Sequence, residues 1–127
     1  MFSHVTIGTN DMKQARQFYD ATLATIGHVH FADYEGVATG YGTGEGNQTW
    51  LMAPFDEQPA SVGNGMMIGF LAPDRASVDA FYVAAMANGG TDEGGPGLRP
   101  HYHADYYAAY MRDSDDNKLC VVCHKPE

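Results

Sequence analysis

Short apolar runs and longer amphipathic stretches follow one another along this chain in an order that occurs twice. SHVTIG (residues 3–8) and GMMIGFL (residues 65–71) are each too short for a helix and read as strands. Behind each comes a stretch whose apolar residues recur every three or four positions. In the first these are Ala15, Phe18, Tyr19, Thr22 and Ile26; in the second, Val78, Phe81, Tyr82, Ala85 and Met86. The spacing predicts helices over about residues 11–26 and 74–88. Asn10-Asp11 or Pro73-Asp74 offers a capping side chain or turn at each start, and glycine stops each helix. The period then falls to two. Strands are expected at roughly residues 28–34, 36–41 and 49–53 in the first half, and 90–93, 106–112 and 118–124 in the second.

The two halves are copies of one plan. Residues 4–27 overlay residues 67–90 without a gap, so that Asp11 meets Asp74, Phe18-Tyr19 meets Phe81-Tyr82, and Gly27 meets Gly90. Aligning the later turns pairs Asn47 with Asn117 and Trp50 with Cys120. The expected architecture is α+β: one domain over residues 1–127, built from two β-α-β-β-β repeats at about 1–56 and 64–127. The Pro/Gly/Ser-rich segment 54–65 connects them. The repeated Phe-Tyr pairs lie on the helix stripes and are expected in the core. The glycine-rich stretches YGTGEGN and NGGTDEGGPG do not match a phosphate-binding loop and read as turns.

At 127 residues and 44% apolar content, the chain can bury a real core as a single domain. Its net charge of −9 is spread along the sequence and argues against nucleic acid or an anionic membrane as partner. The opening MFSHVTIGTNDMKQ has neither a basic leader nor a signal-type apolar core, which leads to the expectation of a cytoplasmic protein. Two cysteines agree with a reducing compartment. They lie in KLCVVCH, which follows the turn-forming DSDDN and reads as a strand. Cys120, Val122 and His124 then face one side, and Val121 and Cys123 the other, so the thiols form no local redox pair.

In SHVTIG, FYDATLATIG, GMMIGFLAPDRASVDAFY and the closing YMRDSDDNKLCVVCH, the chain resembles the vicinal oxygen chelate superfamily of glyoxalase I, bleomycin-resistance proteins and extradiol dioxygenases. LRPHYHADYYAAY is similar to a loop and strand of a glyoxalase-like subgroup. The resemblance implies two modules whose sheets form an open, cupped mixed barrel, with a homodimer as the usual assembly. It also implies four metal-ligand positions, here His4, Trp50, Met67 and Cys120. A divalent metal is expected from the family, yet three of the four positions are substituted. Trp50 offers no donor, Met67 a neutral thioether, and Cys120 a ligand only as thiolate. No metal ligand or cofactor is therefore assigned.

The chemistry left falls to His4, His101 and His103 as candidate catalytic groups, and to Trp50, Met67, Tyr107, Cys120 and Arg99 as candidate substrate contacts. Gly94, Gly95, Pro96, Gly97 and Pro100 are expected to make the segment before the 101–103 histidines irregular rather than paired. On a second reading His101 and Tyr102 only pack that loop, and His103 is solvated. Tyr107 and Tyr110 are expected to alternate with Tyr106 and Met111 along their strand. Arg99 and Arg112 either hold a carboxylate or pair with Asp113 or Asp105. Two functions follow from the resemblance. One is a lyase, isomerase or dioxygenase-type enzyme on a carbonyl or vicinal-oxygen substrate, narrowly preferred because His4 is retained. The other is a metal-free protein that sequesters an aromatic or cationic ligand against Trp50 and tyrosines.

Overall fold

Both amphipathic stretches fold into helices that start where their aspartates stand. In the computed structural model, which describes residues 1–42 and 45–127, helix α1 is Met12–Ala24 and α2 is Arg75–Ala87. The Asp11 carboxylate accepts from the Gln14 N–H and the Asp74 carboxylate from the Ser77 N–H, each filling an amide left open by the first turn. Around α1 lie strands β1 (His4–Gly8), β2 (His30–Tyr34), β3 (Ala38–Tyr41) and β4 (Gln48–Met52). Around α2 lie β5 (Ile68–Leu71), β6 (Thr91–Leu98), β7 (Tyr107–Arg112) and β8 (Lys118–Cys123).

The two modules share one topology. One sheet runs β1-β4-β3-β2 and the other β5-β8-β7-β6, with β1 parallel to β4, β5 parallel to β8, and the remaining pairs antiparallel. The two sheets remain separate and do not close into a barrel. Alternation sends Ile7, Tyr41, Leu51, Phe70, Ala109, Met111, Leu119, Val121 and Cys123 towards the helices. There they pack with Phe18, Tyr19, Leu23, Val78, Phe81 and Ala85 in one core. The opposite face of each sheet, here called the open face, carries no helix.

The modules meet through α1 and α2, which pack on each other in the shared core, and β1 and β5 line hollows between the two sheets. Bonds from Gln48 N–H to the Ser3 carbonyl and from Thr9 N–H to the Met52 carbonyl show that odd-numbered β1 residues bond to β4. The even-numbered backbones of His4, Thr6 and Gly8 therefore point at the second module. The Ala72 N–H bonds to Val122, which by the same alternation turns Gly69 and Leu71 back towards β1. One end of this seam is bridged by the β7–β8 turn. Buried Asp113 organises that turn by accepting from the Tyr19 hydroxyl at 2.5 Å, the Asn117 side-chain amide at 2.9 Å, and the backbone N–H groups of Asp115 and Asn117. Asn117 in turn donates to the Gly8 carbonyl at 3.1 Å, while Asp115 accepts from the Thr9 hydroxyl and the Asn10 N–H.

Several expectations need correction. NGGTDEGGPG is not a turn: Thr91–Leu98 forms the longest strand and pairs with β7 through register shifts around Gly94. Gly94 has φ of 145°, a conformation that L side chains rarely adopt, so glycine here permits bulged pairing where irregular chain was expected. The reading of YGTGEGN as a turn falls partly on Thr43 and Gly44, outside the described residues. Tyr107 and Tyr110 do not share a face; Tyr107 groups with Ala109 and Met111, and Tyr110 with Tyr106 and Ala108. Met67 lies before β5 rather than in it and is exposed.

Candidate functional site

On the first module's open face, Trp50 is the largest side chain. β4 alternation brings it out between Gln48 and Met52, and β3 presents Gly40 beneath it. A β-carbon on Gly40 would stand 2.7 Å from the Trp50 ring, so glycine is what lets the indole lie flat on the sheet. Phe31 meets the ring edge-on at 5.5 Å, and Tyr34 stacks at 5.8 Å with 28° between planes. The indole N–H donates to the Gln48 side chain at 2.9 Å, which fixes the ring's orientation. Phe31 and Tyr34 are both exposed, so the cluster forms an aromatic platform facing outward. His4 is exposed at the start of β1, with its Nδ1 2.5 Å from the Ser3 hydroxyl.

The second module's open face is built around Cys120. Ala108 and Val122 flank the thiol, and Tyr106 and Tyr110 cover it, leaving the residue 1% exposed. The two phenol oxygens are 3.0 Å apart, and the Tyr106 oxygen lies 3.9 Å from Cys120 Sγ. Burial pushes the thiol above its ordinary range; contacts with Tyr106, Tyr110 and Arg99 offset this in part. Burial likewise raises both phenols. The Arg99 guanidinium donates to the carbonyls of Gly97 and Gly95 and lies over the Tyr110 ring at 5.4 Å.

The 99–106 loop is bonded to itself, from Arg99 N–H to the Tyr106 carbonyl, Tyr102 to Arg99, and Tyr106 to His103. His101 packs on Tyr102, which packs on Tyr106. His103 Nδ1 accepts from the Asp105 N–H at 3.1 Å, so its proton sits on Nε2 and is donated to His124 Nδ1 at 2.8 Å. Both rings lean on Tyr106. The aromatic and histidine cluster therefore lies directly over the thiol.

Of the residues singled out in the sequence, Cys120, Arg99 and His103 come together through Tyr106 and Tyr110. Trp50 and His4 share the first module's open face. Tyr107 points the other way, donating to Asp79 at 2.6 Å with the Arg75 guanidinium over its ring. Arg112 pairs with Glu93 at 2.5 Å, and Asp105 with Arg75 rather than with Arg99 or Arg112. Tyr106, Tyr110, His124, Phe31 and Tyr34 were not selected as site residues. Period-two counting back from Cys120 and Trp50 across neighbouring strands is the signal that finds them, once the register is known.

The donor set does not suit the superfamily's metal. Trp50 has no lone pair to give, Cys120 is a capped and protonated thiol, and Met67 sits outside its strand. Among the described residues no group of three or more His, Cys, Asp or Glu side chains is placed to hold an ion.

Two β-α-β-β-β modules joined through their helices, each with a helix-free sheet face, define a glyoxalase-like fold. The model of the Glyoxalase/Bleomycin resistance protein/Dioxygenase superfamily matches residues 1–121, and the chain belongs to that superfamily. It is similar to a glyoxalase/bleomycin resistance protein from Albidiferax ferrireducens T118, with 39% identity, 99% of each chain covered and a TM-score of 0.88. A lactoylglutathione lyase from Agrobacterium tumefaciens shares the fold at 20% identity and TM-score 0.65, over 97% of this chain and 92% of that one. An antibiotic-binding protein from Streptomyces sp. CB03234 shares it at 21% identity and TM-score 0.67, over 98% and 96%. No curated protein matches the sequence.

Proposed function

We propose that this chain binds a small planar, aromatic molecule on its open face by stacking and hydrogen bonding, without a divalent metal at the superfamily's usual position. The observation that carries this reading is Trp50, laid over Gly40 and walled by Phe31 and Tyr34 at the position where the resemblance implies a metal ligand. An exposed aromatic platform favours a flat partner, and a net charge of −9 favours one that is neutral or cationic. Arg99 and the covering tyrosines supply directional contacts on the second module. The antibiotic-binding protein that shares the fold gives a precedent for small-molecule binding on it.

The enzyme reading rests on His4, the one position of the four that keeps a usual ligand and an accessible imidazole able to move a proton. Titration calorimetry of Ni²⁺, Mn²⁺ and Zn²⁺ into chelator-treated protein separates the two. We expect no stoichiometric binding, together with quenching of Trp50 fluorescence by flat aromatic ligands that is lost in Trp50→Ala. Tight one-to-one metal binding with no quenching by any such ligand overturns the proposal.

The assembly belongs to the same reading. Phe31, Tyr34, Met66, Met67 and Leu71 are large apolar side chains exposed on or beside the open face, a pattern suited to burial against a second copy. We place the working form as a homodimer in the cytoplasm, with both cysteines free. No helix is long and apolar enough to cross a membrane.

A further inference from the structure

The duplicated plan makes the two ends of the β1–β5 seam equivalent, yet they are finished differently. At one end the Asp113–Asn117 turn narrows the gap to a hollow of about 150 Å³, and Asn117 takes the Gly8 carbonyl. At the other, where the repeat places Asn47 for Asn117 and Leu71 for Gly8, a cavity of about 360 Å³ remains. Its apolar wall is Phe2, Val5, Ile26, Ile68, Phe70 and Leu71, and its polar side is His4, His28, Asn47, Gln48 and Thr49. Among the described residues the Leu71 carbonyl has no partner corresponding to the bond that Asn117 makes to Gly8. The edges of β1 and β5 therefore offer backbone donors and acceptors to the hollow.

We propose that this open end of the seam is a second binding site, bordering the Trp50 face at His4 and Gln48 and apart from Cys120. Its ligand would be a small, uncharged, planar molecule carrying an N–H beside a C=O, as in a cyclic amide or heteroaromatic lactam. Three features select that chemistry. A strand edge presents N–H and C=O groups in one plane, and a cis-amide returns the complementary pair in the same plane. No Asp, Glu, Lys or Arg lines the hollow, so a charged group would be desolvated without a counter-ion. His28 is anchored through Nε2 to the Thr49 hydroxyl at 3.0 Å, and burial lowers its affinity for a proton. It therefore faces the hollow as a neutral ring that can act as donor or acceptor by choice of tautomer. The volume suits one or two fused rings. A longer peptide strand is excluded because Asn117 occupies the far end of the same edge.

The probe is 2-quinolone, an uncharged bicyclic lactam, titrated into the full-length protein while backbone amide shifts are followed by NMR. N-methyl-2-quinolone, which keeps the ring and carbonyl but has no N–H, is the control. We expect saturable shifts at Val5, Ile26, His28, Ile68, Phe70 and Leu71, none at Ala108, Tyr110 or Cys120, and affinity at least tenfold lower for the N-methyl compound. Absence of saturation up to about 1 mM, where binding falls near 4 kcal/mol, overturns the site. Shifts confined to Ala108, Tyr110 and Cys120 overturn it by assigning the lactam to the open face. Equal affinity for the two compounds overturns strand-edge recognition. His4 and Gln48 border both this hollow and the Trp50 face, so shifts at Gly40 and Trp50 in place of Val5, Ile26 and His28 overturn the seam site and leave the Trp50 reading standing.

Discussion

Cys120 shows how a residue's chemistry is set by what covers it. Alternation along KLCVVC separates it from Cys123, as the sequence implies, but its neighbours on β7 decide whether it can react. The sequence reading leaves Cys120 as a candidate substrate contact; in the fold Tyr106 and Tyr110 roof it over. Tyr106→Ala should therefore raise the labelling rate of Cys120 by a small thiol reagent at least tenfold at neutral pH. Cys123, packed against the helices, should stay protected until unfolding. Mass spectrometry of the labelled peptides would tell the two apart, and equal rates in the parent and the variant would rule out the roof. His28 gives a residue-scale prediction of another kind. Its folded pKa lies below the ordinary 6.5 because of burial, so the unfolded chain binds the extra proton first. Stability contributed by neutral His28 is full above pH 6.5 and is lost as pH falls through that value towards the folded pKa. Chemical denaturation of the parent and of His28→Asn should show the parent losing more stability between about pH 7 and 5.

At the scale of elements, the helices were the most legible part of the chain and β6 the least. The helices carry redundant signals: a capping aspartate, a stripe of large apolar residues, a glycine stop, and a second copy that repeats all three. The observed α1 and α2 match the expected spans to within a residue or two at each end. β6 has none of these. Its glycines and proline are residues that usually mark turns, and only its pairing with β7 makes it a strand. The face that Tyr107 takes was illegible for a related reason: a one-residue shift in phase puts a side chain on the opposite face, and phase is fixed by cross-strand register. The caps provide the test at this scale. Asp11→Ala should lower stability by about 1 kcal/mol through loss of the Gln14 amide's partner, and Asp74→Ala should act in the same direction. Thermal melts in which both variants match the parent would remove capping as the reason these helices start where they do.

At the scale of the whole molecule, the duplication could be read because it is written in the chain, whereas the Trp50 platform and the roof over Cys120 could not, because they join residues brought together only by pairing. Gly40 under Trp50 is invisible until β3 is placed beside β4. The same holds for the boundary between the modules. The backbone amides of Thr6 and Gly69 point into the seam and have no partner among the described residues, although each lies inside a strand. Isotope exchange would draw this boundary directly. Thr6 and Gly69 should exchange deuterium quickly, while Ile7, Leu51 and Val121, bonded within their own sheets and buried, should be among the slowest. A fast line between two slow halves would mean that each module keeps its own record of protection. The joint left by the duplication would then be open to water along its strands, while α1 and α2, packed in one core, keep the two halves from parting.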